Sequence, residues 1–361
     1  MSAAAFFAAD YAEARRKFLA AARAAGARID SYDNPGRGPA GEALATDTAW
    51  IGPDDAPHAV LTISGTHGVE GFCGSGIQVG SFAAGLAGEL PPGTALLAVH
   101  AINPYGFAWL RRVTEENVDL NRNFVDHAEP LPENPDYDLL AEAICPPLWD
   151  EACRAAAQAR LDAFARERGA AALQQAMTGG QYRHAQGIFY GGAAPTRARQ
   201  TLERILADRL TQVRRLGIID FHTGLGPYGY GEPIVMARPG TPEYERARRW
   251  WGEDVTSPLA GSSTSADVQG TNLAGIARAL PQAEITGCGL EFGTLAMQDV
   301  LDAVRGDNWL HARGRVDTDE GRALKRLIRD AFYCDKDDWK TMVLEQGLRR
   351  QREALRGVAA A

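Results

Sequence analysis

Residues 59–76 read AVLTISGTHGVEGFCGSG. The first six, Ala59 to Ser64, form an almost unbroken apolar run of strand length, and a run without polar alternation fits a strand covered on both faces. The glycine-rich segment after it is a loop, and small residues from about Ser75 to Leu86 predict the next helix. A buried strand that ends in a glycine loop and feeds a helix opens an α/β unit. Further strands are predicted at Ala27–Tyr32, Thr46–Ile51, Ala95–Ile102, Leu216–Phe221, Glu232–Ala237 and Glu284–Phe292. Residues 3–25 carry Phe6, Phe7, Tyr11, Phe18 and Leu19 at amphipathic spacing, which predicts a packing helix closed by Gly26. The expected fold class is α/β, a sheet with helices on both faces.

Between about 127 and 200 the strand pattern stops and the chain becomes rich in Ala, Arg and Glu, which predicts a helical insertion; residues 297–361 predict a helical C-terminal region. No interdomain linker or internal repeat is evident, so the 361 residues are read as one enlarged domain over 1–361. The formal net charge of −8, with Lys and Arg scattered among Glu and Asp, argues against nucleic acid and against a polybasic membrane anchor. The five cysteines show no C-x-x-C spacing, so a disulfide framework and a thiolate zinc finger are both unsupported; reduced thiols fit a cytoplasmic protein. Neither a signal peptide nor a membrane span is expected. A homo-oligomer is left open.

The seven histidines can be taken singly. His67 and Glu70 form H-x-x-E on the glycine loop, and His222 follows the strand Leu216–Phe221 in D-F-H-T-G. Alone, H-x-x-E reads as a turn with a solvated Glu. Two His and a carboxylate nevertheless meet the needs of a catalytic zinc, and both loops lie at strand ends, where open α/β sheets place their sites. His100 reads as a core histidine, His58 and His311 as exposed, and His184 lies in a glycine-flanked loop with the makings of a lid. From Asn103 to Phe124 the chain reads NPYGFAWLRRVTEENVDLNRNF. There Asn121 and Arg122 are suited to clamp a carboxylate, Arg111 and Arg112 add cations, and Asp119 could support a metal-bound imidazole. Singly, each of these residues is more often structural. No G-x-S-x-G elbow and no lysine-bearing phosphate loop is present.

Taken in order, G-T-H-G-V-E-G, N-P-Y-G with V-D-L-N-R-N-F, D-F-H-T-G and the late L-E-F-G-T around Glu291 resemble the zinc carboxypeptidase (M14) family. The D-F-H-T-G segment leans towards its succinylglutamate desuccinylase and aspartoacylase branch, and the nearest match is a bacterial subgroup labelled as a domain of unknown function, DUF2817. The resemblance spans about residues 59–295. It implies a mixed central sheet of the phosphorylase/hydrolase-like kind and one Zn2+ held by His67, Glu70 and His222. It further implies Glu291 as general base, Asn121 and Arg122 on the substrate's carboxylate, and Asp119 orienting a zinc-bound histidine. Arg112, or its neighbour Arg111, matches the arginine that polarises the scissile carbonyl. The substrate-binding tyrosine of the family cannot be placed among Tyr190, Tyr228, Tyr230 and Tyr244.

The expected activity is hydrolysis of an amide bond beside a free carboxylate in a small anionic substrate. A peptidase removing a C-terminal residue and a deacylase acting on N-acyl amino acids are the competing versions. A zinc-binding pseudoenzyme is the third reading.

Overall fold

The computed structural model describes residues 2–360. Seven strands form one sheet: β1 (Arg28–Arg37), β2 (Ala43–Ile51), β3 (His58–Ile63), β4 (Thr94–His100), β5 (Arg215–Tyr228), β6 (Gly231–Ile234) and β7 (Glu284–Gly293), in the order β1-β2-β4-β3-β5-β7-β6. The inner strands β4, β3, β5 and β7 run parallel, while β1, β2 and β6 pair antiparallel, so the sheet is mixed. Every predicted strand corresponds to one of the seven.

Alternation along the inner strands explains why both faces are covered. Val60, Leu96, Ile219 and Phe221 point to one core, packed beneath the helices Tyr11–Ala24, Gly71–Ala83, Pro242–Trp251 and Asp337–Ala359. Leu61, Leu97, Leu216 and Ile218, at the opposite parity of the same strands, point to the other, where Leu202, Ile205, Leu206 and Ile276 close over them. A period of two in a strand divides side chains this way, and apolar residues at both parities require two covering layers.

A third core lies beyond the carboxyl ends of the strands. It joins Tyr137, Leu140, Leu161 and Ile188 of the 127–200 region to Val300, Val304, Ile328 and Phe332 of the helices Met297–Arg313 and Asp319–Phe332. The insertion and the C-terminal region therefore pack on each other, above the sheet end where the site is expected.

The N-terminal helix differs from its predicted extent. It begins at Tyr11, because Asp10 caps it by accepting a hydrogen bond from Glu13 N–H, and Ala3–Phe6 form a separate short turn. Among the described residues no helix is long and apolar enough to cross a membrane.

Candidate metal centre and its pocket

Strand β3 is the switch point of the sheet. Its successor β4 lies on one side of it and β5 on the other, and a crevice opens at the carboxyl ends of strands that diverge in this way. His67 and Glu70 follow β3 into that crevice. Gly68 between them is obligatory, because a Cβ there would lie 2.0 Å from the backbone carbon of Gly106.

The stripe of β5 that carries Leu216 and Ile218 into the core continues as Asp220 and His222, so one strand face changes from apolar to polar as it leaves the core. His222 pairs in register with Glu291 on β7, which brings Glu291 to the same place.

His67 Nδ1 lies 2.9 Å from Glu70 Oε1, His222 Nδ1 lies 2.9 Å from Glu70 Oε2, and the two Nδ1 atoms are 3.2 Å apart. Donors about 2.0–2.2 Å from a tetrahedral ion stand about 3.3–3.6 Å from one another, so the three need open by only a few tenths of an ångström to hold one. This is the one such cluster among the described residues, and it is buried.

The outward nitrogens are held as well. His222 Nε2 is 2.6 Å from Asp220 Oδ2, which places the proton on Nε2 and leaves the Nδ1 lone pair for a metal. Asp220 also accepts from Thr66 Oγ1 at 2.7 Å and Asn272 Nδ2 at 2.8 Å. His67 Nε2 lies 2.8 Å from Arg112 Nη2, which can only donate to it, and 3.2 Å from Asp119 Oδ1. The donor set fits a zinc ion, with Asp220 orienting His222 and Asp119 within reach of the outward nitrogen of His67.

The two arginines separate. Backbone hydrogen bonds from Gly68 N–H to Arg112 O and from Val69 N–H to Arg111 O lay this segment against the His67 loop. Arg112 then faces the site, with Nε donating to Asp119 at 2.9 Å and Nη1 to Glu70 at 3.0 Å. Arg111 points away, donating to Asp307 at 3.2 Å and Asn117 at 3.0 Å, and does not line the pocket. Arg111 was expected to touch substrate; the structure instead buries it against Asp307, outside the pocket.

Arg122 lines the pocket with its Nε buried and unpartnered, and Asp119 is 3.9 Å away. Phe189, held at φ 53°, lies under both guanidinium groups, 5.0 Å from Arg112 and 5.5 Å from Arg122. A non-glycine residue in the left-handed region is strained, and the strain here aims an aromatic face at two cations. The Asn121 side chain reaches within 3.4 Å of His222 Nε2; that nitrogen already donates to Asp220, so the Asn121 amide N–H groups are left for another acceptor.

The charges are strongly coupled. Burial alone would raise the Glu70 carboxyl, but His67 and His222 outweigh it and hold it far below the carboxylate range. Burial would likewise raise Asp119, and Arg112 and His67 hold it well below. Burial disfavours a charged His222, yet Asp220 and Glu70 push it well above the usual imidazole value. Glu291 goes the other way: burial, reinforced by the Glu70 charge, raises it to about 7, although Leu225 N–H donates to it at 2.9 Å. A carboxyl that titrates near neutrality suits proton transfer in both directions.

The pocket, with a cavity of about 130 Å³, is closed on one side by Gln174, Thr178 and Phe189 of the insertion. No tyrosine lines it among the described residues. His184 bonds to Asp138 at 2.7 Å outside it, and His311, expected to be exposed, is half-buried near Asp307. Asp220, Thr66, Asn272 and Phe189 were not singled out by the sequence reading. For Asp220 the signal was present, since it stands two residues before His222 on one strand face.

The chain is thus an α/β protein whose doubly covered mixed sheet carries, at its switch point, two imidazoles and a carboxylate that could hold a metal ion, beside a buried glutamate. The family model described as "Protein of unknown function (DUF2817)" matches residues 7–346, and the chain belongs to that family. No curated protein matches it. Among solved structures, it is similar to bovine thrombin-activatable fibrinolysis inhibitor bound to tick carboxypeptidase inhibitor, at 11% identity and TM-score 0.47, over 96% of this chain and 97% of that one. It is also similar to a metallo-carboxypeptidase from Pseudomonas aeruginosa, at 13% identity and TM-score 0.40, over 92% and 68%. A succinylglutamate desuccinylase from Chromobacterium violaceum aligns at 15% identity and TM-score 0.37, over 87% and 72%.

Proposed function

We propose that the chain is a zinc-dependent hydrolase of the zinc carboxypeptidase kind, cleaving an amide bond next to a free carboxylate. One observation carries this reading: a three-donor cluster, the Glu291 carboxyl in register with His222, and the guanidinium groups of Arg112 and Arg122 share one pocket. A zinc ion held by His67, Glu70 and His222 supplies a Lewis acid for water and carbonyl oxygen.

The chain's own residues do the rest. Glu291 takes a proton from the attacking water and returns it to the leaving amine. Arg112 Nη1 shares Glu70 Oε1 with His67, so it is the nitrogen whose partner the donor set would claim, and we assign it to the developing oxyanion. Asn121 and Arg122 fix the substrate carboxylate, for which the Arg122 Nη groups give up their bonds to the backbone carbonyls of Asn121 and Thr178.

The small cavity, walled by the insertion, favours a deacylase acting on small N-acyl amino acids over a peptidase that admits a chain. A small anionic substrate suits the two guanidinium groups. The five unpaired cysteines support a cytoplasmic setting.

Metal analysis, with a panel of N-acyl amino acids and short peptides, tests the proposal. The protein binds one zinc per chain, and His67→Ala and His222→Ala each lose it. Glu291→Gln keeps the zinc and loses roughly 10²–10⁴ in rate. Full zinc in both histidine variants, or a Glu291→Gln variant as active as wild type, refutes the reading.

A further inference from the structure

The pocket is chemically divided. Apolar Ile234, Met236, Val268 and Leu273 line it together with Gly289, accompanied by the uncharged Ser265, Thr271 and Asn272 and by Asp220, whose carboxylate is already paired. Gly289 stands on β7 two residues before Glu291, on the same sheet face, in register with Ile234 on β6 and Asp220 on β5.

Its missing side chain leaves usable space. A Cβ built at Gly289 would meet only His222 Cδ2, at 3.5 Å, an ordinary contact. At Gly287, one step deeper on the same face, the space is filled: a Cβ would meet Leu273 Cδ2 at 3.1 Å and Ile218 Cβ at 3.2 Å. The opening therefore begins at residue 289. It also adjoins the clamp, because the His222 ring edge that faces Gly289 carries Nε2, to which Asn121 Nδ2 approaches within 3.4 Å.

No arginine or lysine lines this end. Arg111 is bound to Asp307 and Asn117, and the Asp220 charge is met by Thr66, Asn272 and His222. A charged group placed there would lose water without gaining a partner, whereas an apolar one gains with each ångström squared it buries.

We infer that Gly289 floors an apolar subsite that takes a neutral, apolar side chain carried beside the substrate's carboxylate, and that the size of residue 289 limits that side chain. This rests on reading Asn121 and Arg122 as the carboxylate clamp, so binding is measured apart from hydrolysis.

Calorimetric titration of the full chain with 4-methylpentanoate, propionate, glutarate and 5-aminopentanoate tests it. 4-Methylpentanoate binds at least about tenfold tighter than glutarate or 5-aminopentanoate. Gly289→Leu lowers the 4-methylpentanoate to propionate affinity ratio about tenfold, and Gly289→Ala, whose Cβ has room, lowers it less. Met236→Arg moves the preference towards glutarate, which keeps the test decisive if Gly289→Leu does not fold. Equal or tighter glutarate binding by wild type, or an unchanged ratio in folded Gly289→Leu, overturns the inference. Failure of every carboxylate to bind overturns the clamp and the subsite together. The expected binding order without hydrolysis of any amide removes the proposed activity and leaves the subsite standing.

Discussion

Replacing Asp220 by Asn isolates the charge behind His222. In the native chain the carboxylate accepts three hydrogen bonds, from Thr66 Oγ1 at Oδ1 and from Asn272 Nδ2 and His222 Nε2 at Oδ2. An amide can keep its oxygen towards Asn272 and His222 and turn its NH2 to Thr66, whose hydroxyl also accepts. The bond count is preserved and the negative charge is lost. Loss of an orienting partner behind a metal-bound imidazole costs about 10–100-fold in metal affinity, which is about 1.4–2.7 kcal/mol. Asp220→Ala is the poorer probe: it removes the acceptor of Thr66 Oγ1 and leaves Asn272 Nδ2 only its 3.3 Å bond to Thr66, a loss of about 1–3 kcal/mol that damages the fold itself. The assay is zinc competition against a chromophoric chelator at neutral pH, with chelator-treated protein melted in parallel to show that Asp220→Asn still folds. A zinc Kd within twofold of wild type would mean that His222 needs no charge behind it, and the account of the site would be wrong.

Arg122→Ala should raise KM roughly 10–100-fold with a smaller change in kcat, since the lost charged hydrogen bond is worth about 1.5–3 kcal/mol; an unchanged KM refutes the clamp. Zinc binding should release at least one proton near neutral pH, because Asp220 and Glu70 keep the free His222 protonated and the ligand form is neutral. Affinity then rises with pH, and calorimetry in buffers of different ionisation enthalpy should show the release; its absence counts against the assigned donors. His100 is lowered from 6.5 to about 4 by burial, so its contribution is complete above pH 6.5 and is lost as pH falls towards 4. The shift corresponds to on the order of 3 kcal/mol. Glu291, raised to about 7, acts in the opposite sense over pH 4.5–7, so the comparison is between wild type and His100→Gln in urea unfolding. Parallel pH profiles for the two would refute the His100 assignment.

The strands could be read from sequence because strand burial on both faces writes itself as unbroken apolar runs, as in Ala59–Ser64 and Leu216–Phe221. His67, Glu70 and His222 could be placed at strand ends because they follow such runs closely, while their grouping as a ligand set came from the family resemblance. Arg111 and Arg112 could not be told apart, since only the backbone pairing with Gly68 and Val69 decides which one faces the site. Phe189 was hidden for a different reason: its place under two guanidinium groups depends on a left-handed backbone that composition does not encode. The apolar walls at Met236 and Val268 come from the bend after the edge strand β6 and from a loop, neither of which carries a periodic signal.

The two imidazoles are 155 positions apart in the chain and meet only where β3 and β5 lie side by side. During synthesis, then, the ion has no complete nest until residue 222 has emerged and the long connection between the two strands has closed, a closure whose entropy cost grows slowly with length. Capture of the proposed metal would thus be a late event that clips an already threaded sheet. Once seated, such an ion would tie residues 67 and 70 to residue 222, and so slow unfolding of the whole molecule without guiding its early assembly.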